Sequence, residues 1–223
     1  ALAENGVSRD IVSFKPDRRP LSVAIIVDTS LAMGSSYRLN VVDAVVGLRR
    51  LRFTTSHPEH VDERMAGALR DLPRVCPYLH LPLQSGSDRM LREMDRGHTV
   101  AEYLGLVDRL RRTIPDLALS TDIIVGYPGE TDAEFEETSR VMASVGYDHA
   151  FLFKYSRREG TRAYRLEETV SEAEKTRRLE RLIAEQQERS ARINRTLVGR
   201  TTAVLVEAPA RRQPDWLSGK NPQ

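Results

Sequence analysis

The stretch Leu79–His80–Leu81–Pro82–Leu83–Gln84–Ser85–Gly86–Ser87–Asp88–Arg89–Met90–Leu91 carries the decisive pattern of this 223-residue chain. An apolar run ends in four small or polar residues, and a helical pattern follows at once. Ser87 can cap that helix, which then carries Met90, Leu91 and Met94. Working outward, the same order recurs: short apolar strand, polar turn, amphipathic helix. Strands are expected at 51–55, 78–83, 117–125 and 149–155. Helix starts are marked by capping boxes. Thr99 with Glu102 precedes Tyr103, Leu106, Val107, Leu110 and Ile114 on one face. Thr131 with Glu134 precedes Phe135, Met142 and Val145. Ser171 with Glu174 opens a long helix with Leu179, Leu182, Ile183 and Ile193 along one side.

Strands alternating with helices imply parallel pairing through crossovers, hence an α/β fold. Ligands in such sheets and barrels bind at the carboxyl ends of the strands. Four such ends are polar here: 54–58 (TTSHP), 83–88 (LQSGSD), 121–131 (TDIIVGYPGET) and 154–161 (KYSRREGT). One polar strand end is ordinary turn chemistry; four in succession point to one shared site. After the long helix, 201–206 reads as a strand, then a basic loop and a second strand starting at Trp216 and Leu217, the opening of a small β-domain.

Composition sets the bounds. Apolar content is 40% and charged content 30%, which suits a globular protein. No stretch approaches the ~20 apolar residues of a membrane span, and the run at 23–27 is too short for a signal-peptide core, so the expectation is a cytoplasmic protein with no membrane partner. The net charge of +2 announces no bulk attraction to nucleic acid. Arginines cluster locally, at Arg157, Arg158, Arg162 and Arg165 and at Arg200, Arg211 and Arg212, as a solvated face or as an RNA contact. The single cysteine, Cys76, excludes an internal disulfide and any cluster held by cysteines of this chain alone, and reads as a small buried hydrophobe.

The segments RFTTSHPEHVDE (52–63), LPRVCPYLHLPLQSGSDRMLREMDRGHT (72–99), STDIIVGYPGETDAEFEET (120–138) and YDHAFLFKYSRREGT (147–161), with the long helix and LVGRTTAVLVE (197–207), together resemble the radical-SAM tRNA methylthiotransferases. The likeness is greatest to the type that adds a methylthio group to an isopentenylated adenosine beside the anticodon. It runs from about residue 47 to 223. It implies a partial (β/α) radical-SAM barrel over 47–197, followed over 198–223 by the truncated start of a TRAM-like RNA-binding β-domain. The implied activity is transferase chemistry at C2 of N6-isopentenyladenosine, with S-adenosylmethionine and [4Fe–4S] clusters as cofactors and tRNA as partner; no stable protein partner is expected. The N-terminal cysteine domain and the C-x-x-x-C-x-x-C loop of that family are missing, so the cluster ligands are absent and the chain alone is expected to be inactive. Residues 20–46 resemble instead the opening of a von Willebrand A-type domain, with Asp28 and Ser30 matching its metal loop and Ala32 breaking it; no metal site is expected.

The resemblance and the strand-end positions give a candidate site. Ser56, Gln84, Ser85, Asp122, Gly126, Gly129, Glu130 and Tyr155 are expected at the cofactor. Asp122 stands out, because an acidic side chain inside an apolar strand is costly unless partnered. His57 reads as a capped strand-end residue rather than a proton donor. Arg157, Arg158, Arg200, Arg211, Arg212 and Lys220 are expected at RNA phosphates. Two further readings remain: a non-catalytic RNA-binding module, and a metal-dependent interaction protein led by residues 20–46.

Overall fold

The computed structural model describes residues 2–4, 7–9, 50–52, 57–210 and 213–222. The run at 23–27, the metal-loop positions Asp28, Ser30 and Ala32, and Ser56, Arg211 and Arg212 lie outside the described residues.

Two short strands, Leu2–Glu4 (β1) and Val7–Arg9 (β2), pair antiparallel. The central element is a parallel sheet of Tyr78–His80 (β3), Ala118–Val125 (β4) and His149–Lys154 (β5), in that order. Register is fixed by His80 opposite Ser120 and by Asp122 opposite Phe151. Parallel strands need long crossovers, and helices supply them. Asp88–Glu93 (α2) and Val100–Thr113 (α3) link β3 to β4, and Asp132–Val145 (α4) links β4 to β5. A further helix, Glu63–Asp71 (α1), precedes the sheet, and the long helix Glu172–Thr196 (α5) follows β5 and packs against it. The parallel α/β architecture expected from the alternating pattern is present.

The four helices whose caps the sequence marks, α2 to α5, begin where those caps predict; α1, capped by Asp62, carries no such prediction. Thr99 and Thr131 both form complete capping boxes with Glu102 and Glu134. Ser87 accepts from the Met90 amide and Ser171 from the Glu174 amide. The predicted faces of α3 and α4 are buried: Tyr103, Leu106, Val107 and Leu110 in one, Phe135, Met142 and Val145 in the other. They close on Leu79, Leu119 and Ile123 of the sheet to make the main core. Along α5 the expected apolar side is only partly covered, with Leu182 fully buried and Ile183 38% exposed.

Three strand expectations are corrected. Of 51–55, Leu51 makes only an isolated parallel bridge to Val75, and 53–56 lie outside the described residues. The strand read at 78–83 stops at His80, because Pro82 has no amide to offer a ladder; Gln84 then bridges Ile123 again. The strand read at 201–206 is Leu205–Ala210 (β6), four residues later, paired antiparallel with Gln213–Lys220 (β7). Among the described residues, no helix is long and apolar enough to cross a membrane.

Candidate functional site

The turn after β3 is built to be held in place. Gln84 sits at φ 73°, a left-handed backbone that costs a non-glycine residue about 1–3 kcal/mol. Its amide donates to the Asp122 carbonyl at 2.8 Å, and its carbonyl accepts from the Ile124 amide at 3.0 Å, so both bonds tie the strained residue to β4. Ser85 is fully buried; its hydroxyl meets Thr138 Oγ1 at 3.4 Å, on α4. The Gly86 amide donates to the same Thr138 Oγ1 at 2.9 Å.

Gly86 has no room for a side chain. A Cβ there would stand 2.5 Å from Thr138 Cα and 2.8 Å from the Glu137 carbonyl oxygen, both helix backbone. Gly86→Ala is therefore expected to destabilise the chain by about 1–3 kcal/mol, as overpacking does. A thermal melt followed by circular dichroism tests this; an unchanged midpoint would refute the tight approach.

Ser87, Arg89 and Glu134 clasp the turn to α4. Glu134 accepts from Ser87 Oγ at 3.1 Å and from Arg89 Nε and Nη2 at 2.7 and 2.6 Å, as well as from Thr131. Burial alone would raise its pKa. Arg89, Thr131 and Ser87 outweigh that and bring it down to about 2.

A cleft of about 520 Å³ opens at the carboxyl ends of β3, β4 and β5. Gln84, Asp122, Ile124 and Tyr155 line its sheet side; Met94, Asp95 and Arg96 after α2 and Arg158, Thr161 and Arg162 after β5 line its rim. Tyr127 and Tyr155 meet edge to face at 5.2 Å, with Met90 and Ala163 packed beside them. Both phenols support walls: Tyr127 donates to the Glu93 carbonyl at 2.9 Å and Tyr155 to the Ala163 carbonyl at 3.0 Å. Burial raises the Tyr127 pKa, so it stays a neutral donor.

Arg96 is a half-buried charge on the cleft's rim. Its guanidinium makes no hydrogen bond or ion pair with a described residue. Burial lowers its pKa, and Asp122 offsets this only in part. Lys154, by contrast, is paired with Glu172 at 3.2 Å, and Arg162 with Glu93 at 3.7 Å. A half-buried arginine without a partner is an anion-binding group in waiting.

Of the eight residues expected at the cofactor, the structure brings Gln84, Asp122 and Tyr155 to this cleft. Ser56 lies outside the described residues. The other four lie in helix packing. Ser85 faces α4. The Gly126 amide donates to Glu130 Oε2 at 2.6 Å, and a Cβ on Gly126 would collide with the Lys175 side chain. The Gly129 amide donates to Thr169 Oγ1 and its carbonyl accepts from Arg89. Glu130 is buried against Arg178 of α5. The glycine turn that reads as a ligand loop is the place where α5 docks. Of the residues expected at RNA, Arg158 lines the cleft, while Arg157 is tied to the Leu166 carbonyl at 2.6 Å and to Glu168 at 3.4 Å. Arg200 is exposed just after α5, and Lys220 closes β7. His57 lies off the cleft lining, stacked near His60 and His98 at ring separations of 5.5 and 5.9 Å; burial first, then Arg96 and His60, lower its pKa against the pull of Glu59. Among the described residues no group of histidine, cysteine or carboxylate side chains is set to hold a metal ion.

Residues 31–142 match the family model of the Radical SAM superfamily. The chain belongs to the radical SAM superfamily. The match begins inside the 20–46 stretch that resembles another domain. The chain is 46% identical over 182 residues to a tRNA-2-methylthio-N(6)-dimethylallyladenosine synthase of Stenotrophomonas maltophilia strain K279a, covering 82% of this chain and 39% of that protein. It is 49% identical over 178 residues to the synthase of that name from Agrobacterium fabrum, covering 80% of this chain and 39% of that one. The chain thus spans about two-fifths of the length of these relatives. Among solved structures, coproporphyrinogen III oxidase from Escherichia coli, a radical SAM enzyme, superposes with a TM-score of 0.53 at 19% identity, over 63% of this chain and 32% of that one. This likeness shows the shared fold and supports the reading of a partial radical-SAM barrel.

Members of this superfamily use S-adenosylmethionine with a [4Fe–4S] cluster. The residues present do not fit the cluster: it needs three or four thiolates, and the one cysteine, Cys76, is buried with 4% exposure. They do fit the nucleoside cofactor. The cleft offers aromatic walls, the Asp122 carboxylate, and the cation Arg96, which no described residue pairs.

Proposed function

We propose that this chain is a fragment of a tRNA methylthiotransferase, the enzyme that places a methylthio group on C2 of N6-isopentenyladenosine beside the anticodon. The identity of 49% over 178 residues to a synthase of that name carries the reading. Residues 47–197 are the latter part of its barrel, 198–223 begin its TRAM-like β-domain, and 1–46 have a separate origin. The fragment acts in the cytoplasm, where tRNA is modified. Its share of the work is binding: Gln84, Asp122, Tyr155 and Arg96 hold S-adenosylmethionine, and Arg158, Arg200, Arg211, Arg212 and Lys220 meet tRNA phosphates. The cluster's share, delivery of the electron that cleaves the sulfonium, needs thiolates that these 223 residues do not hold. Alone, the chain transfers no methylthio group.

Two measurements test this on the chain as it stands. Anaerobic reconstitution with iron and sulfide should give no cluster absorbance; a stoichiometric cluster would refute the ligand count. Calorimetry should show S-adenosylhomocysteine binding, and Arg96→Met should weaken it roughly tenfold to a hundredfold, the effect of losing a hydrogen bond to a charged group. Equal affinity in the variant would remove Arg96 from the site. A second reading, a tRNA-binding module without catalysis, is favoured by the single cysteine. It requires tRNA binding whose affinity falls with salt; no binding at low salt would end it.

A further inference from the structure

The turn between α2 and α3 carries Arg96 to the cleft rim. Its backbone is tied back to α2: the Asp95 amide donates to the Arg92 carbonyl at 3.1 Å and the Arg96 amide to the Leu91 carbonyl at 2.8 Å. Asp95 sits at φ 56°, a left-handed conformation that persists only where the surroundings hold it. Against this turn lies the single 3-10 turn Pro58–His60, with His57 before it. A Cβ on Gly97 would collide with the Glu59 carboxylate, and the His98 ring meets the His57 ring edge to face at 5.9 Å. His57 lies 5.5 Å from the His60 ring, and His98 lies 5.8 Å from the ring of Tyr103 on α3.

This cluster of rings has no outlet for a proton. His98 is 7% exposed. Among the described residues, both of its nitrogens, and Nδ1 of His57 and of His60, are buried without a hydrogen-bond partner. A neutral imidazole has one N–H and one bare nitrogen. A protonated one adds a charge and a second donor, which is costly where neither finds an acceptor. The groups around His98 are His57, Glu59 and His60 from the 3-10 turn, Arg96 from its own segment, and Glu102 and Tyr103 from α3. Glu102 is already bonded to the Thr99 amide and hydroxyl at 2.8 Å, and Glu59 lies 3.5 Å from His57 Nδ1. Burial first, then His57 and Arg96, lower the His98 pKa from 6.5 against Glu59 and Glu102.

We propose that His57, His60 and His98 form an acid-sensitive latch: neutral, their packing holds the turn between α2 and α3 with Arg96 at the cleft rim, and a proton on His98 releases the turn and takes the arginine from the cleft. The sign follows from linkage. The released turn binds the proton more readily than the closed one, so closure is complete above 6.5 and weakens as pH falls from there toward the lowered value. The effect on ligand binding rests on the cofactor reading above.

Hydrogen exchange of the 223-residue chain, corrected for the intrinsic effect of pH and read by mass spectrometry, tests the latch. Residues 94–99 should be protected at about pH 7.5 and lose protection at about pH 5, the range in which histidine changes charge, while β3 stays protected. His98→Leu puts an apolar side chain where no polar partner waits, and its turn should stay protected at both. Should His98→Leu fail to fold, His57→Leu removes one of the groups that repel the His98 proton and should move the loss of protection to lower pH. A turn equally protected at both pH values, or one released unchanged in these variants, overturns the latch. In calorimetry, affinity for S-adenosylhomocysteine should fall severalfold over the same range in the wild type and stay level in His98→Leu. His80, 3.3 Å from the cleft residue Asp122, is intact in that variant. A pH slope that survives there belongs to another group and overturns the hold of the latch on binding. A wild-type chain that binds no S-adenosylhomocysteine at either pH while its turn still opens in acid overturns the cofactor reading and leaves the latch standing.

Discussion

Replacing Arg178 by methionine is expected to lower the stability of the chain by about 3–5 kcal/mol, as removal of one partner of a buried ion pair does. Arg178 donates through Nη1 to Glu130 Oε2 at 2.7 Å, through Nη2 to Asp132 at 2.7 Å and through Nε to Glu174 at 2.8 Å. The Arg178 side chain is 4% exposed, and that of Glu130 is 0% exposed. Among the described residues Glu130 Oε1 already lacks a partner, so without Arg178 the carboxylate keeps only the Gly126 amide among them. Burial has raised its pKa against the opposing pull of the Gly126 amide and Arg178. Removing the arginine raises it further. A carboxyl whose folded pKa lies above its unfolded value contributes stability when protonated and loses it as pH rises through the folded pKa. The Arg178→Met defect should therefore be largest at neutral pH and shrink as pH falls. Urea denaturation at several pH values measures this. The double variant Arg178→Met with Glu130→Leu should recover much of the loss, since an apolar pair leaves no charge stranded. A single variant within 1 kcal/mol of wild type, about the worth of a surface pair, would sink the argument.

That ion pair shows where sequence reading stops. Thr131 and Glu134 are three residues apart, and their capping box is legible because its geometry is local. Glu130 and Arg178 are 48 residues apart, and nothing local distinguishes Arg178 from the other arginines of α5. The glycine turn 126–130 therefore reads as a ligand loop, while its interior is committed to α5. Arg96 was missed for the converse reason. In the run Asp95–Arg96–Gly97–His98 it looks like surface charge, and only the fold reveals that it is half-buried, with no hydrogen bond or ion pair to a described residue. Asp122 was legible because a carboxylate among Ile123, Ile124 and Val125 is anomalous in the sequence itself. Its partner His80 lies on the neighbouring strand, and pairing of that kind depends on register. Strand β5 departs in another way. Apolar strands of parallel sheets are commonly covered on both faces, yet Phe151 is 45% and Phe153 50% exposed.

Glu134→Gln is the second large effect, and it bears on the site as well as on stability. Glu134 is 11% exposed and joins three things at once: the N-terminus of α4 through Thr131, the cap of α2 through Ser87, and the first turn of α2 through Arg89. Its pKa of about 2 lies well below the ordinary value of 4.5. A carboxylate with a depressed folded pKa contributes stability above the unfolded value and loses it as pH falls through the folded one. At about 1.4 kcal/mol per pKa unit, its ionised form contributes about 3 kcal/mol at neutral pH. Glu134→Gln should lose most of that at pH 7, and the difference from wild type should vanish as pH falls from 4.5 toward 2. Parallel stability curves across that window would show that Glu134 is not the group responsible. The same substitution loosens residues 84–89, and with them the left-handed Gln84 whose amide and carbonyl are tied to β4. Affinity for S-adenosylhomocysteine should therefore fall together with stability, although Glu134 does not line the cleft. Loss of stability at unchanged affinity would mean that β4 alone holds Gln84 in place, and that the clasp serves the fold but not the site.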